Sequence, residues 1–176
     1  MKTTLYKEND NSTMVKMDFA DVNARQNWRV SNDNVMGGLS KGGIELSIGK
    51  VIFNGDISLE NNGGFSAVFH AVEPMIENLN HIMLDFLGDG NCYQMRLVAN
   101  NHGKIIYYYH EFTTQSNEQQ KVILNLADFQ ATFRGKKIIG APKVVSQNIE
   151  EIGFLLTKKQ AGPFSLSLFS LSFIAL

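Results

Sequence analysis

The stretch HIMLDFLGDGNCYQMRLVA, residues 81–99, alternates apolar and polar side chains on both sides of a Gly-Asp-Gly turn. Every second residue from Ile82 to Phe86 is apolar, and the same holds from Tyr93 to Leu97. A period of two residues is typical of β-strands that bury one face. The stretch therefore predicts two strands joined by a short turn.

Similar segments recur along most of the chain, and no long helical pattern separates them. Strands are predicted at about 15–19, 43–48, 51–59, 65–72, 81–87, 93–99, 104–112, 120–126, 151–157 and 164–174. In the last of these the apolar positions change parity after Leu168, which predicts a β-bulge or a strand buried on both faces. Many strands with long connections favour an all-β fold, a jelly-roll β-sandwich. Residues 1–13 are polar and patternless, so we expect a flexible leader followed by one domain over residues 14–176.

Composition narrows the class of protein. The chain has 176 residues, of which 44% are hydrophobic, and a formal net charge of -1 from 16 basic and 17 acidic residues. This balance provides no positive patch for nucleic acid or an anionic membrane. Cys92 is the only cysteine, so no intrachain disulfide forms, and we expect it to be a small core residue. No apolar stretch is long enough for a secretory signal or a membrane span, which predicts a cytoplasmic protein without membrane insertion.

Two polar loops each contain a pair of glycines: SNDNVMGG at residues 31–38 and ENNGGF at residues 60–65. Adjacent glycines reach backbone conformations closed to other residues, and neighbouring Asn or Asp side chains stabilise turns. We expect these loops, together with 88–90 and 158–164, to meet at one rim of the sandwich and form a recognition surface. The candidate binding residues are Trp28, Asn32, Asp33, Met36, Gly37, Gly38, Asn61, Asn62, Gly63, Gly64, Asp89, Tyr93, Arg96, Lys158 and Gln160.

Other kinds of site remain open from the residues alone. A sugar would stack on exposed rings, and Trp28, Tyr93 and the run Tyr107 to Tyr109 are the candidates, with Gln94, Arg96 and Asn100 nearby for hydrogen bonds. Trp28 is alternatively a core anchor beneath the first glycine loop. Neighbouring strand residues face opposite sides, so Tyr108 cannot share a face with Tyr107 and Tyr109.

Catalytic signatures are largely absent from the sequence. It lacks a Gly-x-Ser-x-Gly elbow, a phosphate-binding Gly-Lys-Ser/Thr loop, a His-Glu-x-x-His helix and a Gly-x-Gly-x-x-Gly dinucleotide motif. A hydrolase that uses the Asp33 or Asp89 carboxylate as general base is the remaining enzymatic alternative. Turn carboxylates also suit a hard cation, but Asp beside Gly is an ordinary turn former. We therefore predict no catalytic residues, no metal and no cofactor.

Several of these runs, in this order, resemble the complex I intermediate-associated protein 30 family from about Met17 to Ile174. The matching runs are Trp28 with 32–40, 53–55 with 58–65, 88–90 with Tyr93, 128–129 with 133–135, and 152–156 with Lys158, Gln160 and 162–164. The resemblance implies a galactose-binding-like β-sandwich, a fold shared with many carbohydrate-binding modules. It also implies a non-enzymatic role, because a eukaryotic member is a mitochondrial chaperone for assembly of respiratory complex I. The expected partner is a protein complex intermediate, and the alternative is a glycan or small ligand.

Overall fold

The computed structural model describes residues 4–8, 12–19, 27–75, 78–157 and 161–176. Within these residues fourteen β-strands pair antiparallel in two sheets, and none forms an α-helix. The strands are β1 Thr4–Glu8, β2 Ser12–Asp18, β3 Trp28–Asn32, β4 Lys41–Ser47, β5 Lys50–Ile57, β6 Phe65–Ala71, β7 His81–Leu87, β8 Cys92–Asn101, β9 Lys104–Thr113, β10 Gln119–Asn125, β11 Gln130–Phe133, β12 Lys136–Lys137, β13 Ile149–Thr157 and β14 Gly162–Ile174.

The first sheet is organised around β14, which pairs with β7 along one edge and with β5 and then β2 along the other. Strands β4, β1 and β10 extend this sheet beyond β5, β2 and β7. The second sheet has the order β12-β11-β9-β8-β13-β6-β3. Each sheet turns one face toward the other, and the alternation in the sequence places the apolar side chains between them.

Aromatic rings from both sheets meet in this core. Phe53 and Phe164 of the first sheet have ring centroids 4.8 Å apart, and Phe53 lies 6.4 Å from Tyr93 of the second sheet. Tyr93 stacks in turn with Phe112 at 6.1 Å. Such ring pairs add to the free energy gained by burying their area, so they help to fix how the two sheets pack.

The change of parity in the last strand is confirmed as a β-bulge. The pairing of β14 with β7 shifts register between Leu168 and Ser170. The extra residue lets Phe164 to Leu168 and Leu171 to Phe173 both direct alternate side chains into the core.

Four strands were not predicted from the sequence. Strand β3 lies at the edge of its sheet and none of its five residues is fully buried, while β11 and β12 are short. Strand β1 pairs with β2 inside the segment for which a leader was expected, because backbone hydrogen bonds need no apolar alternation. The division into a flexible leader and one domain stays a prediction.

Cys92 is exposed, and its placement in the core is wrong. Strand β8 begins at Cys92 and its inward positions start at Tyr93, which is fully buried. The alternation therefore turns the Cys92 thiol outward. The same rule is confirmed in β9, where Tyr108 is buried and donates a hydrogen bond to the carbonyl of Pro142 at 2.9 Å while Tyr107 is exposed.

Candidate functional site

The two glycine loops meet at one end of the sandwich. Strand register places Asn32 opposite Ser66, and Thr157 opposite Phe65, so β3 and β13 end where β6 begins. In the first sheet, Gly162 at the start of β14 lies opposite Ile57 at the end of β5. The loops at residues 33–40 and 58–64 therefore adjoin each other. Lys158 and Gln160, predicted for the same rim, lie outside the described residues.

Asp33 joins these two loops from the interior and is fully buried. Its Oδ1 accepts a hydrogen bond from the backbone N–H of Ser40 at 3.0 Å. Its Oδ2 accepts from the Ser40 hydroxyl at 2.5 Å and from the backbone N–H groups of Gly64 and Phe65 at 2.6 and 3.3 Å. Hydrogen bonds to a carboxylate are stronger than those between neutral groups, so Asp33 fixes the shape of both loops.

The environment of Asp33 keeps it ionised. Burial alone would raise the pKa of the carboxyl, but the hydrogen bonds from Ser40, Gly64 and Phe65 outweigh it and hold the pKa below its ordinary value. A carboxylate with a low pKa and no solvent access is a poor general base. The expectation that Asp33 contacts a partner or acts as a base is therefore wrong, because its oxygens are occupied within the protein.

Close backbone approach explains two of the paired glycines. A Cβ on Gly38 would lie 2.4 Å from Cγ of Asp33, and one on Gly63 would lie 2.6 Å from Oδ2 of Asp33. Across the loops, the Asn61 amide donates to the carbonyl of Gly37 at 2.9 Å. Gly38 and Gly64 are buried and shape the rim from within. Met36, Gly37, Asn61 and Asn62 form its exposed part.

Asn32 also has a structural role at this edge. Its Nδ2 donates to the carbonyl of Gly42 on β4 at 3.1 Å, and its Oδ1 accepts from the hydroxyl of Ser66 on β6 at 2.6 Å. One side chain thus ties an edge of the first sheet to the second.

Asp89 makes a second set of contacts in the turn between β7 and β8. Its Oδ2 accepts hydrogen bonds from the Tyr93 hydroxyl at 3.0 Å, the Asn91 amide at 2.7 Å and the backbone N–H of Ser165 at 2.8 Å. Burial and the neighbouring carboxylate raise the pKa of the Tyr93 phenol, so it stays a proton donor. The fully buried Tyr93 ring offers no surface to a sugar, which corrects that assignment.

Trp28 packs on the core side of β3. Its ring lies 6.0 Å from Phe19 and 5.0 Å, edge-on, from His70. The ring thus packs on the core, as in the core-anchor alternative, but not beneath the first glycine loop, because Trp28 lies at the other end of β3 from Asn32, where that loop begins.

A groove of about 710 Å³ opens on the outer face of the second sheet. Its floor contains Arg96 and Gln94 of β8, Tyr109 of β9 and Leu155 of β13. The remaining lining residues form its walls and come from the rim and from β11 with its following turn: Val35, Met36, Phe65, Thr132, Arg134, Gly135 and Thr157. Val35 is 83% exposed and Met36 66% exposed, so the wall formed by the first glycine loop is apolar and accessible.

Arg96 is the central charged group of the floor. Its Nη1 donates to Oε1 of Gln94 at 3.1 Å, and its Cζ lies 5.7 Å from the centre of the Tyr109 ring. Burial lowers the pKa of the guanidinium from its ordinary value, but an arginine keeps its charge in proteins. Gly153, the neighbour of Arg96 in β13, has no room for a side chain because the Phe69 ring lies over it.

Of the predicted site residues, Met36 and Arg96 line this groove. The loop residues around Met36 border it, whereas Trp28, Asp33, Asp89 and Tyr93 have structural contacts elsewhere. The glycine motifs predicted a binding surface at the rim, whereas the groove lies on the face of the second sheet. The groove floor could have been predicted from the period-two alternation in β8 and β13. In these strands the outward-facing residues that alternate with buried ones include Gln94, Arg96, Leu155 and Thr157.

Among the described residues, no group of three or more His, Cys, Asp or Glu side chains is arranged to hold a metal ion. Within the same part of the chain, no helix is long and apolar enough to cross a membrane.

The sheets and groove define an all-β sandwich with an open face framed by loops. The chain belongs to the Complex I intermediate-associated protein 30 family, whose sequence profile matches residues 17–168. The resemblance seen in the sequence is thereby confirmed. A search of curated protein sequences finds no match.

Carbohydrate-binding modules are among the solved structures with the same fold. The family 11 module from Clostridium thermocellum, in complex with a β-1,3-1,4-mixed-linked tetrasaccharide, aligns with a TM-score of 0.67 at 15% identity over 93% of this chain and 95% of that one. The family 11 module of the cellulase Lic26A-Cel5E from the same organism gives 0.65 at 13%, over 92% and 95%. A family 29 carbohydrate-binding module gives 0.55 at 10%, over 93% and 89%. The predicted jelly-roll, galactose-binding-like sandwich is confirmed.

Proposed function

We propose that this protein is a non-catalytic binding module of the assembly-factor type, which holds a polypeptide segment of a protein complex intermediate in the groove. The observation behind the proposal is the chemistry of the lining. Among the described residues, aromatic side chains, Met and Arg line the groove, and none of the described lining residues is Lys, Asp or Glu. The same residue types are enriched at the centres of protein–protein interfaces, and the same charged types are depleted there.

The arrangement of the walls supports a polypeptide ligand. Met36 and Val35 present flexible and aliphatic surface on one side, and Leu155 and Phe65 continue it toward the floor. Methionine adapts to side chains of different shape and recurs at surfaces that bind varied peptides. Membership of the Complex I intermediate-associated protein 30 family favours the same kind of partner.

A carbohydrate ligand is the second candidate, and one observation favours it. Tyr109 and the polar side chains of Gln94 and Arg96 lie together on the floor of a sheet-face groove, so a ring and hydrogen-bonding groups are both present. A structural neighbour of this fold holds a tetrasaccharide. The Tyr109 ring is partly occupied by the Arg96 guanidinium, however, which reduces the free stacking surface.

The contacts of the loop carboxylates weigh against a hydrolase. Asp33 is saturated with hydrogen bonds inside the protein, and the Oδ2 of Asp89 accepts three. A general base must reach the proton it removes, so neither carboxylate is placed for that role.

Site-specific photocrosslinking tests the proposal. A photoreactive amino acid replaces Met36 on the groove wall, and a matched chain carries it at Ile48, which is fully exposed in the turn between β4 and β5. Irradiation in extract of the source cells should attach a polypeptide at position 36 and not at position 48. Equal adducts at both positions, or none at position 36, would contradict the proposal.

A thermal-shift titration with the mixed-linked tetrasaccharide separates the second candidate. A ligand that binds only the folded state raises the melting temperature. A rise that disappears in Tyr109→Ala would favour carbohydrate binding over polypeptide binding. A control substitution at Tyr107, exposed on the same strand, should leave any rise in place.

A further inference from the structure

The charge of Arg96 has no carboxylate partner among the described residues. The guanidinium donates from Nη1 to the neutral amide oxygen of Gln94, and its Nε is buried without a hydrogen-bond acceptor in the described part of the chain. In that same part, the ion pairs within 4.0 Å are Arg29–Glu151 and Lys121–Asp85. A half-buried cation without a counter-charge attracts an anion more strongly than a solvated one does.

Carboxylates on this side of the sheet are engaged elsewhere. Glu151 of β13 binds Arg29 with a separation of 2.6 Å between Oε2 and Nη2. Glu111 of β9 accepts a hydrogen bond from the Gln94 amide at 3.2 Å, and Glu150 accepts one from Asn100 at 2.9 Å. Each of these acids therefore has a partner other than Arg96.

Arg29 provides an internal comparison. It lies in the same transverse row of the sheet as Arg96, because Arg29 pairs with Phe69, Phe69 with Gly153 and Gly153 with Arg96. Its guanidinium stacks on the Phe69 ring at 4.4 Å and is neutralised by Glu151. Both arginines lie over an aromatic ring, but within the described ranges only Arg29 has a carboxylate partner.

We propose that Arg96 binds a carboxylate of the partner, so that the groove selects an acidic polypeptide segment. The inference rests on the proposed function, since it names the chemistry of the polypeptide. Arg134 on the opposite wall adds a second cation, and it too is outside the ion pairs of the described residues. The apolar wall at Met36 and Val35 binds the neighbouring apolar side chains of the segment.

The physical basis is charge-assisted hydrogen bonding. An arginine binds a carboxylate with short hydrogen bonds about twice as strong as neutral ones. A ligand carboxylate placed at the guanidinium supplies the counter-charge that no described residue of the protein provides. A neutral amide in the same place accepts a hydrogen bond but supplies no charge.

Selection from a displayed library of random twelve-residue peptides tests the inference on the full chain. We expect the selected peptides to be enriched in Asp or Glu. A selected peptide and its counterpart with the acid changed to Gln or Asn are then measured by fluorescence anisotropy. The neutral counterpart should bind the wild type about tenfold more weakly, which is the size of one charge-assisted contact.

Two variants and a matched control assign the effect to Arg96. Arg96→Gln should remove most of the preference for the acidic peptide, and Arg96→Lys should restore part of it because the charge returns. Arg29→Gln lies on the same face outside the groove lining and should leave the preference unchanged. Backbone amide spectra of each variant confirm that it is folded.

The outcomes separate the two proposals. If peptides without acidic residues bind the wild type, and their binding is lost in Met36→Asp, the preference for acidic segments is overturned while polypeptide binding in the groove stands. A preference for acid that survives in Arg96→Gln overturns the role of Arg96. If no peptide binds while trigalacturonate binds in an Arg96-dependent manner, the polypeptide assignment itself fails.

Discussion

The Oδ2 atom of Asp33 lies 2.6 Å from the backbone nitrogen of Gly64, 31 residues further along the chain. Through one buried carboxylate, this contact joins two loops that each connect one sheet to the other. The polar glycine loops are thereby held in fixed shapes, and Val35 and Met36 of the first loop line the groove on the sheet face. Loop rigidity of this kind reduces the conformational entropy lost when a ligand binds.

Removal of the Asp33 carboxylate should destabilise the fold strongly. Asp33→Ala leaves the buried N–H groups of Ser40 and Gly64 without their acceptor. An unsatisfied buried donor costs about 1–3 kcal/mol, so we expect the free energy of unfolding to fall by at least about 2 kcal/mol. Urea denaturation measures it, and Asp56→Ala, at an exposed carboxylate of β5, should change it by less than about 0.5 kcal/mol.

A methyl group at position 38 should also be poorly tolerated. The Cβ of Gly38→Ala would overlap Asp33, whereas the Cβ of Gly43→Ala meets no atom within 4 Å. Overpacking costs about 1–3 kcal/mol, so Gly38→Ala should lower the melting temperature clearly more than Gly43→Ala. Calorimetry on the two variants compares them. Equal melting temperatures would show that the loop shifts freely.

His70 should make the stability depend on pH. The ring is buried against Trp28, and burial lowers the pKa of its imidazole below the ordinary 6.5. The folded state therefore favours the neutral ring, so its contribution is complete above pH 6.5 and is lost as the pH falls below that value. The loss is at most about 1.4 kcal/mol per pH unit for one proton.

Unfolding measurements at pH 7.5 and 5.5 check the His70 effect. The wild type should lose more stability than His70→Asn over this interval, because Asn does not titrate. His102, a loop residue, provides a control, and His102→Asn should keep the wild-type slope. If the free energy of unfolding falls equally in the wild type and His70→Asn between the two pH values, His70 is not the cause of the pH dependence.

Loss of the Tyr93 hydroxyl should weaken the turn between β7 and β8. Tyr93→Phe keeps the ring among Phe53 and Phe112 but removes the donor to Asp89. A hydrogen bond to a charged group contributes about 1.5–3 kcal/mol, and Asp89 retains its contacts with Asn91 and Ser165, so we expect the lower part of that range. Chemical denaturation measures the change, and Tyr107→Phe at an exposed ring should be nearly neutral.

The strands that bury one face could be predicted because their alternation is visible in the sequence. The predicted and observed bounds agree at His81–Leu87, and the bulge in β14 follows from the apolar residues on either side of Leu168. Strand β3 could not be predicted in this way, because an edge strand has little apolar surface to bury. Its pairing depends on β6, a strand more than thirty residues away.

The candidate site was harder to predict than the fold. Met36 and Arg96 were singled out, but Asp33 and Tyr93, assigned to the same surface, are buried, and the Oδ2 of the partly exposed Asp89 accepts hydrogen bonds within the protein. An Asp in a glycine loop looks the same in the sequence whether it faces water or a set of backbone N–H groups. The difference depends on segments that are distant in the chain, such as Ser40 and Gly64 for Asp33.

The sequence by itself determined the all-β class, the position of most strands and the family, because each follows from local alternation or from motifs read in order. Only the tertiary structure decided which face of the second sheet stays open and which polar side chains reach it. Packing buries Asp33 and Tyr93, and it leaves Arg96 in the groove without a counter-charge from the residues that the structure describes. Those outcomes depend on strand order and register, which no single stretch of sequence encodes.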